Sequence, residues 1–504
     1  MTSFAASFPS PLESRIPLGG LLAFALLALW TVGCGPRTEE VNNVDTGPKE
    51  PIQVLFVGSA DTASAIERFW NAEAASPMEA ASVSLAEFTA TPAERLSGFD
   101  VVVYPSSLLP ELAASELLLA IEKRQFEDED WNQADVLPRE KGFVTHWDGD
   151  AYGISLGHRP WVLAYRADVL EAVGAEPPRT WQEYRELADR LASPPPGSAT
   201  RMDGVWQACQ EPMAGNWAAH VLLARTGSGI RHRGAYSGLF ELGRSEPLLA
   251  SPPYAEALTR LVAARPLVDS TPASCFQALV NGSSALALIP LPTQSEVGLR
   301  DDEGEAGPQG DTPSAGANEV GPAMGLVRFA VLPGSEEVFV SSREEWRRRD
   351  EEESTSVPYL GRPGIVASIV ADSRRAGTSW GFLQWLGGRK MQSRLAEVVP
   401  GSFPMRYSSL GSLDRWLPEG LSQAAVDDVF EIVRADNAAL VAMQPPRYPG
   451  SDETLRILAA CVERSLGGES PAASLEQGRA AWLEQIDSIG PERFIEWHEA
   501  GLGL

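Results

Sequence analysis

Gly174-Ala175-Glu176-Pro177-Pro178-Arg179-Thr180-Trp181-Gln182-Glu183 spells out a helix start. The two prolines hold an extended approach, Thr180 is placed to cap the first turn, and Glu183 completes a capping box. Trp181, Tyr184, Leu187, Ala188 and Leu191 then share one face, and Pro194-Pro195-Pro196-Gly197 ends the helix. Just upstream, Trp161-Val162-Leu163-Ala164-Tyr165 reads as a buried strand. Further out, Ile52 to Val57 is a short apolar strand closed by Gly58-Ser59. A helix is predicted from Asp61, with Ala65, Phe69 and Ala72 at near-helical spacing, before a second strand, Val101-Val102-Val103-Tyr104, ended by Pro105. Strands alternating with helices predict a largely parallel sheet covered on both faces. Near the carboxyl end, Leu455, Leu458, Ala459, Val462 and Leu466 form a helical stripe ended by Gly467-Gly468. Ser474 and Gln477 predict another capping box, ahead of Trp482 and Ile486.

Length allows two to four domains, since 504 residues stand against about 150 per domain. With 44% apolar residues, the chain can bury a sizeable core, which rules out disorder throughout. The net charge of −27 repels phosphate backbones and anionic headgroups, so nucleic acid is excluded as a partner. None of the four lysines (Lys49, Lys123, Lys141, Lys390) follows a glycine, so the phosphate-loop motif is absent. Cys34, Cys209, Cys275 and Cys461 are too scattered for a C-x-x-C pair, and no H-E-x-x-H occurs. No metal site and no cofactor are expected.

The first 33 residues read as an address. Arg15 precedes a thirteen-residue apolar run from Leu18 to Trp30, too short for the roughly 20 residues that cross a bilayer. A small residue follows and then Cys34, in Thr31-Val32-Gly33-Cys34. That pattern is a secretory signal, 1–33. Residues 34–51, polar with Pro36, Gly47, Pro48 and Pro51, read as a flexible tether. An exported context permits a Cys209–Cys275 disulfide without establishing it. Two stretches are poor core material and are expected as solvated insertions: the Gly-, Pro- and acid-rich 295–322, and 336–357 with its Arg347-Arg348-Arg349-Asp350-Glu351-Glu352-Glu353 block.

One enzyme motif matches, Gly153-Ile154-Ser155-Leu156-Gly157 as G-x-S-x-G. A nucleophile elbow needs that serine on a strand-to-helix turn, whereas here Pro160 and a strand follow. His158, His220, His232 and His498 are the only histidines after Ser155, and none has an evident Asp partner. A secreted serine hydrolase using Ser155 therefore stands only as an alternative. Aromatics are more telling. Trp147, Tyr152, Trp161 and Tyr165 crowd one segment, with Trp206 and Trp217 beyond it. Flat rings with a polar edge suit the apolar faces of sugars, although any single Trp is as well used in a core.

Seven segments, in order, resemble the extracellular solute-binding proteins of ABC importers, sugar-binding branch. Asp148-Gly149-Asp150-Ala151-Tyr152-Gly153-Ile154 and Leu163 to Leu170 are the first two, and the Gly174–Glu183 stretch is the most specific. Asn281 to Leu288, Phe329 to Gly334, Phe382 to Leu386 and Phe403-Pro404-Met405-Arg406 follow, with a matching helical ending from Pro449 through Trp482. The chain departs from the family at Ile289-Pro290-Leu291-Pro292, where an aromatic is common, and in its acidic insertions. Cys34 resembles the lipidated cysteine of a lipobox, with Thr31 where Leu is usual.

The resemblance implies an α/β, two-lobed periplasmic-binding-protein-like fold of type II, with a ligand cleft between lobes. The first lobe is expected over 52–155 and 362–410, the second over 156–361 and 411–504. It implies a binding protein, not an enzyme: exported, lipid-anchored to a bacterial membrane, monomeric, capturing a sugar or oligosaccharide for an ABC permease. A sensor that binds the same solutes is a further alternative. Open α/β sheets bind ligands beyond the carboxyl ends of their strands. Candidate ligand residues are therefore Ser59, Asp61, Tyr104 and Ser106 from the first lobe. Arg159, Tyr165, Trp206 and Trp217 are the candidates from the crossing and second lobe, and Arg406 follows from the Pro-x-Arg match.

Overall fold

The computed structural model describes residues 50–504 except 75, 197–205, 295–320 and 362–363. The signal segment, Cys34, most of the tether and most of the acidic stretch 295–322 lie outside the described residues. Among the described residues there are thirteen strands: β1 (Ile52–Val57), β2 (Met78–Val83), β3 (Val101–Pro105), β4 (His146–Trp147), β5 (Asp150–Ala151), β6 (Gly153–Ser155), β7 (Trp161–Arg166), β8 (Gln207–Gln210), β9 (Ser284–Pro290), β10 (Val327–Ala330), β11 (Glu337–Val340), β12 (Glu345–Arg348) and β13 (Ile365–Ile369).

Two sheets organise the fold. The first has the order β2-β1-β3-β13-β6 and the second β10-β7-β9-β8. In the first, β1 pairs in parallel with β2 and β3, as the alternating pattern predicts, but β13 is antiparallel to β3 and β6. In the second, only β8 and β9 are parallel, and β7 is antiparallel to β9 and β10. The departure from a parallel sheet has a topological cause. A strand that enters its sheet from the crossing between lobes must run opposite to strands whose carboxyl ends face that crossing. Both β7 and β13 enter in that way.

Local signals explain most helices. Ser59 caps Ala60–Glu73 by accepting from the Thr62 amide, and Thr180 with Glu183 forms the predicted capping box of Trp181–Arg190. The stripe at Leu455 is the helix Ser451–Leu466, ending at Gly467. The last capping box is misplaced by one turn. Ser470 caps that helix with Pro471 in its first turn, and the buried Ser474 hydroxyl instead donates to Glu469, 2.9 Å away. The basic–acidic block is also not a loose insertion. β11 and β12 form a hairpin whose Val338 and Phe339 are buried. Arg347 pairs with Glu353, and Arg349 donates to the carbonyls of Ser228 and Arg231.

From Glu50 to Leu504 the chain packs as one compact unit. One face of the first sheet (Val54, Phe56, Val101, Val103) is covered by the helices Ala60–Glu73 and Ala376–Leu386. Its other face opens onto an apolar cluster that runs without a break from Leu55, Val102 and Tyr104 to Trp161, Leu163 and Leu286 of the second sheet. That shared cluster is why two sheets make one unit.

Candidate ligand cleft

The chain leaves the first sheet at the end of β6 and enters the second at β7, returning to the first at β13. It passes back a third time between the helix Arg389–Val398 and the helix Gln423–Ala438, which packs on β10. All three passages touch at one place. The Leu156 amide donates to Ile365 O (2.8 Å), the Phe403 amide to Leu156 O (3.3 Å), and the Ser106 amide to Gly364 O (2.9 Å). The backbones approach so closely that only glycine fits. Gly157 has φ +92°, and a Cβ on it would lie 1.7 Å from Phe403 O. A Cβ on Gly364, φ +90°, would lie 2.2 Å from Gly157 O. Both needs select glycine.

Facing this crossing are the carboxyl ends of β1 and β3 on one side and of β8 and β9 on the other, since Pro290 of β9 pairs with Trp161 at the start of β7. This is where the fold class expects a ligand. On the second-lobe side stands a ring of aromatics. Trp161 packs edge-on against Tyr359 with centroids 5.4 Å apart, Trp217 lies 6.2 Å from Trp161, and His220 Nδ1 is 2.6 Å from the Tyr359 hydroxyl. Trp161, His220 and Tyr359 are buried, and Trp217 is half-buried at the amino end of its helix.

Of the predicted ligand residues, Ser59 and Ser106 follow the carboxyl ends of the adjacent strands β1 and β3, and Asp61 is exposed in the first turn that Ser59 caps. Tyr104 lies one residue inside β3, wholly buried, its hydroxyl 2.8 Å from Ser368 Oγ. Burial drives its ionisation far above the ordinary range. Arg159 lies in the first crossing and donates to Leu291 O (3.1 Å). Trp217 joins the aromatic ring.

Three predicted residues sit elsewhere. Tyr165 is near the far end of β7, opposite Leu286 and Arg328, because β7 runs away from the crossing. Trp206 precedes β8, at the amino end of that strand, and its indole donates to Leu191 O (2.8 Å). Arg406 is buried over the Trp131 ring (4.6 Å), donates to Gly387 O and Trp131 O, and lies 3.7 Å from Asp135. It ties together the outer side of the first lobe.

Ser155 is the last residue of β6 and is buried. Its hydroxyl donates to Glu140 Oε2 (2.5 Å), while His158 Nδ1 meets the other oxygen of the same carboxylate at 2.6 Å. The histidine thus has acidic neighbours that sequence did not reveal: Glu140, and Asp436 at 4.0 Å. The order is hydroxyl–carboxylate–imidazole, so the imidazole does not reach the serine as a hydrolase base must. Burial alone would lower the pKa of His158, but Glu140 and Asp436 raise it. An adjoining recess, lined by Trp131, Glu140, Thr145 and Ser155 among others, has about 10 Å³ of free space, room for about one water.

Cys209 and Cys275 are separate buried thiols, each pushed up to about 12 by burial, so the permitted disulfide is not formed. No group of three metal-capable side chains occurs among the described residues, and no helix there is long and apolar enough to cross a membrane.

The two sheets and the three crossings define a two-lobed α/β fold with strand ends facing each other across the crossing. Residues 79–264 match the family of bacterial extracellular solute-binding proteins, and over most of the chain the fold is theirs. An ABC transporter solute-binding protein from Agrobacterium radiobacter K84, solved with ribitol, superposes with a TM-score of 0.59 at 17% identity, covering 87% of this chain and 100% of that one. The sugar-binding protein MalE from Xanthomonas citri gives 0.59 at 16%, covering 88% and 98%. The acarbose-binding GacH receptor of Streptomyces glaucescens gives 0.58 at 14%, covering 87% and 99%. Comparison with curated protein sequences gives no match.

Proposed function

We propose that this protein captures a small polyhydroxylated solute, a sugar or polyol, outside the membrane and delivers it to an ABC permease. The observation that carries the reading is the ring of Trp161, Trp217, His220 and Tyr359 at the strand ends that face the crossing. Rings with polar edges stack on the apolar faces of a pyranose while fixed polar groups orient its hydroxyls. The structural neighbours that bind ribitol and acarbose are in keeping with this ligand class. The apolar cluster that runs unbroken between the two sheets describes a closed arrangement, so entry of a solute requires opening about the three crossings. A solute then drives closure by its higher affinity for the closed form. The reading involves no bond made or broken, and Ser155, the nucleophile of the hydrolase alternative, is buried and held by Glu140.

A thermal-shift screen against pentitols, hexitols, monosaccharides and oligosaccharides tests the reading, since binding to the folded state alone raises the melting point. At least one such solute should raise it in a saturable way, and none doing so refutes the reading. The protein acts as a monomer tethered through lipidated Cys34. Cys34→Ala should abolish the membrane fraction, and retention of that fraction rules the anchor out.

A further inference from the structure

The segment from Ala442 to Tyr448 lies along the junction of the lobes. Met443 pairs with Tyr359 next to the second crossing, its amide donating to Pro358 O (2.8 Å). Four residues on, Arg447 reaches the first-lobe side. Its Nη2 donates to His146 O (2.5 Å), its guanidinium lies 4.6 Å over the Phe143 ring, and it senses the Tyr104 hydroxyl electrostatically. Arg447 is 7% exposed, yet no carboxylate among the described residues lies within ion-pair distance, and its Nε has no hydrogen-bond partner. At the end of β3, two residues beyond Tyr104, Ser106 Oγ is likewise without a partner in a residue that is 1% exposed.

Of the other buried arginines, Arg166 pairs with Asp168 and Arg225 with Glu211, while Arg231, which also lacks a carboxylate, places its Nε on Ala442 O and an Nη on Ala235 O; Arg447 lacks a carboxylate and leaves its Nε idle as well. A buried cation left uncompensated is costly, and a buried donor without an acceptor adds to the cost. Burial lowers the pKa of Arg447 to about 10, so it still carries its charge at neutral pH. A counter-charge for Arg447 and an acceptor for its idle Nε can come from outside the chain, and the junction of the lobes is where the outside enters.

We infer that the solute carries an anionic group, a carboxylate or a phosphate, and that Arg447 with Ser106 at the end of β3 receives it. The inference rests on the proposed capture of a sugar-like solute and names its charge class. A guanidinium meets either group through paired hydrogen bonds, and a hydroxyl adds a further donor. The surface charge of −27 does not forbid such a ligand, because exposed charges are screened within about 10 Å at moderate salt whereas a buried guanidinium is not.

Calorimetric titration of the whole exported chain with matched probes decides the matter: D-glucose, D-glucuronate and D-glucose 6-phosphate, then D-galactose and D-galacturonate. At least one acidic member should bind tenfold or more tighter than its neutral parent, and the two acidic glucose probes tell carboxylate from phosphate. In Arg447→Gln that preference should fall below twofold, while the melting point of the unliganded protein holds or rises, since an uncompensated charge has been removed. Binding of a neutral sugar equal to or tighter than its acidic counterparts overturns the inference and leaves solute capture standing. If none of the five probes binds, the inference falls, while solute capture is judged by the wider thermal-shift panel. The wild-type comparison needs no variant, so a misfolded Arg447→Gln cannot mask the answer.

Discussion

Two arginines, each within two residues of a preceding proline and each buried, sit in regions that use them in opposite ways. Arg406, on the outer side of the first lobe, is fully engaged: carbonyls of Gly387 and Trp131 accept from it, Trp131 lies beneath it and Asp135 balances its charge. Arg447, at the junction of the lobes, has an idle Nε and no carboxylate partner. The sequence motif favoured Arg406 as the ligand residue. The comparison teaches that a residue's type and neighbours in sequence do not separate a scaffold arginine from a receptive one. The bookkeeping of its donors does.

The largest effect expected from breaking this contrast is at Arg406. Arg406→Met leaves Asp135 without one of its cations and strips donors from buried carbonyls, and one-sided loss of such a buried pair costs about 3–5 kcal/mol. Urea denaturation should show that loss, with solute affinity unchanged for whatever molecule then remains folded. A drop in affinity without a drop in stability would return Arg406 to the cleft.

Next in size is the pair of half-buried tryptophans that bracket the second sheet. Trp206 lies at the amino end of β8 and bonds Leu191 O, whereas Trp217 lies beyond the carboxyl end in the aromatic ring. Trp206→Ala should cost stability, at or below the 3–5 kcal/mol typical of a buried Trp, and leave affinity alone. Trp217→Ala should weaken solute binding by about 2 kcal/mol with a smaller loss of stability. Equal effects of the two variants on affinity would remove the distinction between the ends of the sheet.

These cases also mark how far the sequence could be read. Capping boxes, apolar runs and glycine stops are local, so the start at Thr180, the strand at Trp161 and the stop at Gly467 were all legible. Family order then carried the two-lobed fold. Strand direction was not local: nothing in Trp161–Tyr165 says that the strand points away from the crossing, and for that reason Tyr165 was placed at the wrong end. Arg447 and the ring partner Tyr359 are not legible because each works through residues more than a hundred positions distant, Tyr104 and His220 among them. The contact of Glu140 with both Ser155 and His158 was hidden for a different reason. They are close in sequence, but a carboxylate at that spacing means nothing until a turn brings it back.

The smallest expected effect probes a third buried group that lies between the two extremes. His158 is compensated like Arg406, through Glu140, yet its Nε2 is unbonded, with Asp436 at 4.0 Å, and its other charged neighbour is Arg139. Its folded pKa is raised above the ordinary value of about 6.5. The protonated form is therefore the one that folding favours, and its stabilisation is complete below the unfolded pKa and is lost as pH rises through the folded one. Burial raises the pKa of Asp436 as well, which gives the same sign at lower pH. Melting temperature should thus fall gradually as pH is raised from about 6.5, and His158→Gln, which retains a donor for Glu140, should flatten that decline. A melting temperature that climbs over this window in the wild type, or an unchanged slope in His158→Gln, would mean that the imidazole is neutral and that the crossing is held by Ser155 and Glu140 alone.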